Sequence, residues 1–144
     1  MISRKTLAGL CALALGFAVA PAIAADPPTK CTLATLRGTM AWATTFSKNA
    51  AGRAGSGFES YDGHGNLKYT QIVSDGYSTQ TYTGVGTYTI TAECIASVTY
   101  DGFGPPFLYF VAPDGSAYYW TNNQNTGGVS AGRADRVSLA ALVK

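Results

Sequence analysis

The chain has 144 residues, of which 47% are hydrophobic and only 12% charged, with 17 glycines, three cysteines and one histidine. Its formal charge is +2, and two of its cations, Arg4 and Lys5, stand within the first five residues; without them eight basic side chains balance eight acidic ones. A balanced, dispersed charge excludes the electrostatic footprint of a nucleic-acid binder and the polybasic patch of a membrane-surface protein.

The chain opens on a short basic stretch, Met1 to Lys5, followed by an apolar run from Leu7 to Ala20, then Pro21 and the small-x-small sequence Ala22-Ile23-Ala24. This is the layout of a secretory signal peptide over residues 1–24, with cleavage after Ala24. The apolar run is too short for a spanning helix, and Leu10 stands before Cys11 where lipidation wants a small residue. The expectation is an exported protein, periplasmic or secreted, with no membrane span in its mature form. Residues 25–144 then make a single domain. Cys31 and Cys94 survive processing, and an even pair in an oxidising compartment most simply forms one disulfide. A redox or catalytic thiol pair is a poorer reading, because there is no Cys-x-x-Cys and a single histidine.

Turn signals recur along the remainder. Asp-Gly stands at Asp62-Gly63, Asp75-Gly76, Asp101-Gly102 and Asp114-Gly115, at intervals of 13, 26 and 13 residues. Both residues tolerate positive φ, so Asp-Gly between alternating runs signals a hairpin. The strands this predicts are Leu33–Phe46, Gly52–Ser60, Leu67–Val73, Ser78–Thr91, Cys94–Tyr100, Phe107–Val111, Ser116–Thr121 and Gly127–Val137. The tail Ser138–Lys144 is the one helical candidate, and reads equally as a last strand. Seven or eight strands reversing in succession predict an all-β, antiparallel meander closed into a barrel, which removes exposed edges. A membrane barrel fits poorly: the longest strand carries threonine on one face and several others fall short of the roughly 9–11 residues required.

The longest strand has the sharpest pattern. Thr81, Thr83, Thr87 and Thr89 occupy one face, and Tyr82, Gly84, Gly86 and Tyr88 the other. Glycine between aromatics leaves volume on the inner side of a curved sheet. We therefore expect a cavity lined by Trp42, Phe58, Tyr82 and Tyr88, with Gly84 and Gly86 supplying space, and a small apolar or aromatic molecule as its occupant. Phe107, Leu108, Tyr109, Phe110 and Val111 are apolar on both faces of one strand. One face must then meet something outside the barrel, which predicts a homo-oligomer interface.

Candidates for chemistry are few. His64 sits in a turn, and one histidine with a paired cysteine set cannot build a zinc site; Asp62 and Asn66 lack the spacing of a calcium loop. No metal and no cofactor is expected. Four aspartates are used in turns, which leaves Glu59 as the one weak candidate for an acid or base, should it face the cavity. Arg133 and Arg136 are read as partners of Asp135 or braces at one end of the barrel.

Three segments together resemble a known group: Cys31 shortly before Leu36-Arg37-Gly38-Thr39; Phe58 to Asn66, with its Tyr61-Asp62-Gly63-His64-Gly65-Asn66 turn; and Thr83-Gly84-Val85-Gly86-Thr87-Tyr88 running on to Glu93-Cys94. The combination is similar to small exported bacterial proteins related to the allene oxide cyclase-type barrels, with Tyr61 where that turn usually has phenylalanine. The resemblance implies a calycin-like eight-stranded barrel and an exported location, and little about activity. The acid, amide and cysteine set of a true cyclase has no counterpart here residue by residue. The leading expectation is therefore a non-catalytic binding barrel; the alternatives are a cyclase or isomerase working through Glu59, and a structural or interaction protein.

Overall fold

The computed structural model describes residues 30–48, 51–124 and 128–142. The leader-like segment 1–24, with Cys11, lies outside the described residues. A short 3-10 turn, Leu33–Leu36, precedes eight strands: β1 Gly38–Lys48, β2 Ala51–Tyr61, β3 Asn66–Ser74, β4 Thr79–Ile90, β5 Ile95–Tyr100, β6 Phe107–Val111, β7 Ala117–Gln124 and β8 Gly128–Ser138. Each strand pairs with the next, and β1 pairs antiparallel with β8, so the sheet closes into a barrel in strict meander order. Closure leaves no edge of unpaired backbone.

All four Asp-Gly pairs sit between consecutive strands, and their glycines have φ of +80, +88, +79 and +67°. The aspartate carboxylates finish the turns: Asp62 accepts from the backbone N–H of His64 and Asn66 at 2.7 and 3.0 Å, and Asp75 from Tyr77 and Ser78 at 3.0 and 2.8 Å. The doubled interval of the sequence hides one more hairpin. It joins β4 to β5 through Thr91–Cys94, and its left-handed residue is Cys94 itself, φ +64°. A non-glycine residue in that region needs support. Cys94 has it from its N–H bond to the Thr91 carbonyl (3.0 Å), the Val111 N–H on its own carbonyl (2.9 Å) and the disulfide to Cys31.

That disulfide, Cα–Cα 5.0 Å across a sequence separation of 63, ties the entry segment to one end of the barrel. Leu33–Leu36 closes that end: Leu36 is fully buried, the Tyr88 hydroxyl donates to the Leu33 carbonyl at 2.9 Å, and Arg136 donates to the Thr35 carbonyl. The first predicted strand is corrected here: Leu33–Leu36 is not strand, because it crosses the barrel end as a plug, and β1 starts after Arg37. The tail is corrected too. β8 runs to Ser138, and residues 139–142 form no helix; they lie over Thr39, whose hydroxyl donates to the Ala140 carbonyl at 2.7 Å and accepts from Leu142 N–H at 3.0 Å. Among the described residues no helix is long and apolar enough to cross a membrane.

Chain-entropy arithmetic for a loop of this length puts the disulfide near 4 kcal/mol at most. The double variant Cys31→Ser/Cys94→Ser is expected to lose up to that much stability in urea unfolding, with loosening concentrated at the plugged end in hydrogen exchange. Unchanged unfolding would mean that the plug holds without its covalent tie.

Candidate functional site

Alternation along each strand sorts the side chains into an inner and an outer set. β2 sends Gly55, Gly57, Glu59 and Tyr61 inward, and β1 sends Met40 and Trp42. The plugged half is filled solid by Met40, Tyr61, Leu67, Tyr88, Ala96, Val98 and Val111. Glu59 lies just above this filling, 4% exposed. Its neighbours are phenols from three strands. Tyr61 donates to Glu59 Oε2 at 2.6 Å, Tyr118 donates to the same oxygen, and Tyr100 donates to Oε1 at 2.5 Å. Tyr109 closes the group, its hydroxyl 2.5 Å from that of Tyr100 and its ring stacked on Tyr118 at 4.4 Å.

Two effects oppose each other at Glu59. Burial disfavours the charged form; hydrogen bonds from Tyr100, Tyr118 and Tyr61 favour it; burial prevails and the carboxyl pKa is raised. The four phenols are pushed well above their ordinary range, by burial first and by the Glu59 charge second. Phenol protons in this group therefore stay on their oxygens at any physiological pH.

Above the carboxyl the barrel is not filled. A cavity of about 90 Å³ opens toward solvent, lined by Trp42, Glu59, Tyr69, Gln71, Tyr100, Phe103, Phe107, Tyr109 and Trp120. The floor is Glu59 with Tyr100 and Tyr109; the walls are aromatic apart from the amide of Gln71. Trp42 and Trp120, the two tryptophans of the chain, meet edge to face at 6.0 Å. Phe103, from the segment joining β5 and β6, leans over Tyr69 and Tyr100 at the mouth, ring centroids 6.2 and 6.3 Å apart. Two wider hollows, of about 440 and 650 Å³, are shallow and lined largely by exposed residues such as Lys68, Thr87 and Thr45.

The structure sorts the residues singled out in the sequence. Trp42 lines the cavity. Phe58 does not: it stands one position from Glu59, points outward and is 44% exposed. Tyr88 faces inward but lies in the solid half, below the cavity. Tyr82 is on the inner face only by its alternation, 39% exposed and bonded to Gln80, away from the cavity lining. Gly84 and Gly86 face inward, yet they supply no empty volume. A Cβ on Gly84 would stand 2.6 Å from the Tyr69 hydroxyl, and one on Gly86 2.3 Å from the Thr99 carbonyl oxygen. The ring of Tyr69 and the close approach of β5 occupy those places. Glu59, a weak candidate in sequence, is the centre of the inner polar group.

Sequence reasoning missed Tyr69, Tyr100, Phe103 and Tyr109 as wall and floor. The available signal was parity: Glu59 pairs with Tyr69 across β2 and β3, so one inward residue fixes the other. Phe107–Val111 is apolar on both faces as expected. Phe107, Tyr109 and Val111 face in, while Leu108 and Phe110 are 54% and 58% exposed. Arg133 bonds Asp135 on the outer surface and lies 5.3 Å over the Tyr119 ring, whereas Arg136 braces the plug. His64 is exposed, and among the described residues no three His, Cys, Asp or Glu side chains gather as metal ligands.

No protein-family model and no curated protein matches the chain. Two solved structures are similar: a redesigned β-barrel, mFAP1, with DFHBI bound (21% identity, 73% of this chain and 98% of that one, TM-score 0.46), and a redesigned β-barrel, mFAP0, with DFHBI bound (20% identity, 71% and 99%, TM-score 0.43).

Glu59 binds more protons in the folded than in the unfolded chain between the ordinary carboxyl value of 4.5 and its own raised value. Folding stability attributable to this group therefore falls as pH rises through that window. Urea unfolding across it should show that slope in the wild type and its loss in Glu59→Gln; equal slopes would remove the buried carboxyl as the cause. At Gly132 a Cβ would meet the Trp120 ring at 2.2 Å. Gly132→Ala should displace that ring and shift the tryptophan emission maximum; an unshifted spectrum would mean Trp120 is not held against β8.

Proposed function

We propose that this barrel binds a small molecule with a single aromatic or apolar ring, without transforming it. The observation that carries the reading is the half-open cavity walled by Trp42, Trp120, Tyr69, Phe103 and Phe107, beside a barrel half that is packed solid. A small barrel keeps a void only at a cost in lost contacts. Its aromatic walls with a few convergent polar groups are the usual make-up of a ligand pocket. Eight-stranded barrels have interiors just wide enough to fill with side chains or to hold one small ligand. At about 90 Å³ the cavity is smaller than the engineered apolar cavities of about 150 Å³ that hold benzene, so a single ring would fill it and extend through the open mouth, and a fused polycycle would not enter.

Export belongs to the same proposal, supported by the signal-like leader and by a disulfide compatible with an oxidising compartment. Kinship with the allene oxide cyclase-type barrels is likewise proposed, on the three sequence motifs. Cyclase or isomerase chemistry through Glu59 has one observation in its favour, a cavity-bordering carboxyl with a raised pKa. Against it, the phenol protons of Tyr61, Tyr100, Tyr109 and Tyr118 are engaged with Glu59 or with another phenol, so none of these four is free to polarise a substrate beside the carboxyl. Association of two barrels is proposed through the outer row Ile95, Phe110 and Tyr119, aligned by register across β5, β6 and β7 and all exposed.

Because both tryptophans line the cavity, a small neutral aromatic such as 2-phenylethanol should change the intrinsic fluorescence saturably. Trp42→Ala should weaken that binding about tenfold or more, the scale of one lost aromatic contact. A linear, non-saturating response up to the solubility limit would refute the pocket. Light scattering should show a dimer that Phe110→Glu converts to monomer; a wild-type monomer at high concentration removes the association.

A further inference from the structure

We propose that the ligand is an organic cation, an arylalkyl-ammonium whose N–H groups dock on the floor formed by Glu59, Tyr100 and Tyr109 while its ring lies against the aromatic walls that include Trp42 and Trp120. The proposal rests on the pocket reading above and narrows it to one chemical class.

The direction of the hydrogen bonds carries the argument. A phenol has one proton to give. With Glu59 ionised, Tyr61, Tyr100 and Tyr118 direct theirs to its carboxylate. Tyr100 having used its own, the Tyr100–Tyr109 bond takes the proton of Tyr109. All four phenol protons are then committed. What the floor still offers a ligand is lone pairs: one on Glu59, which has four acceptor sites and three donors, and those on the Tyr100 and Tyr109 oxygens. Such a floor accepts hydrogen bonds and donates none. A carboxylate ligand would meet like charge at that floor; the donors of the cavity stand on its walls instead, at Tyr69, Gln71 and the buried indole N–H of Trp42.

Charge points the same way. Among the described residues the one salt bridge is Arg133–Asp135 on the outer surface, so no lysine, arginine or histidine neutralises Glu59. The groups facing it are Tyr61 from its own strand, Tyr69 from β3, Tyr100 from β5, Tyr109 from β6 and Tyr118 from β7. β1 brings Met40 and Trp42, β4 Gly86 and Tyr88, and β8 Ala134. The inward cation of β2, Arg53, lies six positions further along the strand, about 20 Å at ~3.3 Å per residue. Asp101, near the mouth, acts on Tyr69 with a second negative charge. Aromatic walls complete the match, since ring faces attract a cation, and more strongly when water is excluded.

The proposal has a proton linkage with a definite sign. Burial favours the neutral Glu59 in the empty pocket. An arriving ammonium favours the carboxylate, so binding expels a proton below the carboxyl's raised pKa. Amine affinity must therefore rise with pH through that range, while the ammonium, titrating near 10 like lysine, stays charged.

Three probes sharing one ring test this: 2-phenylethylammonium, 2-phenylethanol and phenylacetate, titrated against the full folded protein by calorimetry. At about pH 8 the amine should bind at least about tenfold tighter than the alcohol, with phenylacetate weakest, and its lead should shrink toward about pH 5. In Glu59→Gln the amine-to-alcohol ratio should fall toward one; if that variant does not fold, the wild-type pH series decides alone. An alcohol or phenylacetate that equals the amine at about pH 8, or an amine affinity indifferent to pH, overturns the cation while the pocket reading stands. Binding of none of the three at millimolar concentration overturns both.

Discussion

A carboxyl group held inside a small barrel sets terms that the rest of the molecule must meet. Removing Glu59 from water costs several kcal/mol, and a hydrogen bond to a charged group returns about 1.5–3 kcal/mol. One donor is not enough, and three are supplied, from β2, β5 and β7, with a fourth phenol from β6 behind them. These strands are distant in sequence, Glu59 and Tyr118 being 59 residues apart. They reach one point only because the sheet closes on itself. The polar group and the closed topology thus require each other: an open sheet would leave the carboxyl wet and the phenols unmatched.

The glycines of the inner face serve packing rather than emptiness. Beside Gly84 lies the ring of Tyr69, beside Gly132 that of Trp120, and beside Gly55 that of Trp42, each closer than an added methyl allows or at its limit. A narrow barrel cannot seat a large ring on every strand at one level, so a bare position on one strand takes the ring from its neighbour. The same rule places the tryptophans. Each leans across the strand next to its own, the two meet edge to face, and together they form part of the cavity wall.

The two ends of the barrel differ for a physical reason. At one end the disulfide, the Leu33–Leu36 plug and Arg136 hold the entry segment across the opening, and apolar side chains fill the interior beneath it. At the other, the segment between β5 and β6 is short of apolar filling and contributes Phe103 as a rim. A buried acid between a sealed half and an open aromatic half gives the pocket a polar bottom and a direction of entry. This asymmetry turns a generic barrel into a candidate receptor for a molecule with a ring at one end and a donor at the other.

Much of the architecture was legible from residues alone. Asp-Gly pairs mark four hairpins because turn geometry is local, and alternation marks the strands because side-chain direction has a period of two. The even cysteine pair was legible for the same kind of reason. The Thr91–Cys94 hairpin was not, since its left-handed residue is a cysteine held by a distant partner. Nor was the Leu33–Leu36 plug, whose apolar spacing passes for strand until an open barrel end needs covering. The site divides along the same line. Trp42 and the inward parity of Gly84 and Gly86 could be read from the chain, but Phe58 was taken for a lining residue because parity has no origin until one residue is anchored to a side. Whether Glu59 or Phe58 faces inward, and whether a glycine's space is empty or filled by a ring from another strand, is decided by register and closure, which no single strand contains.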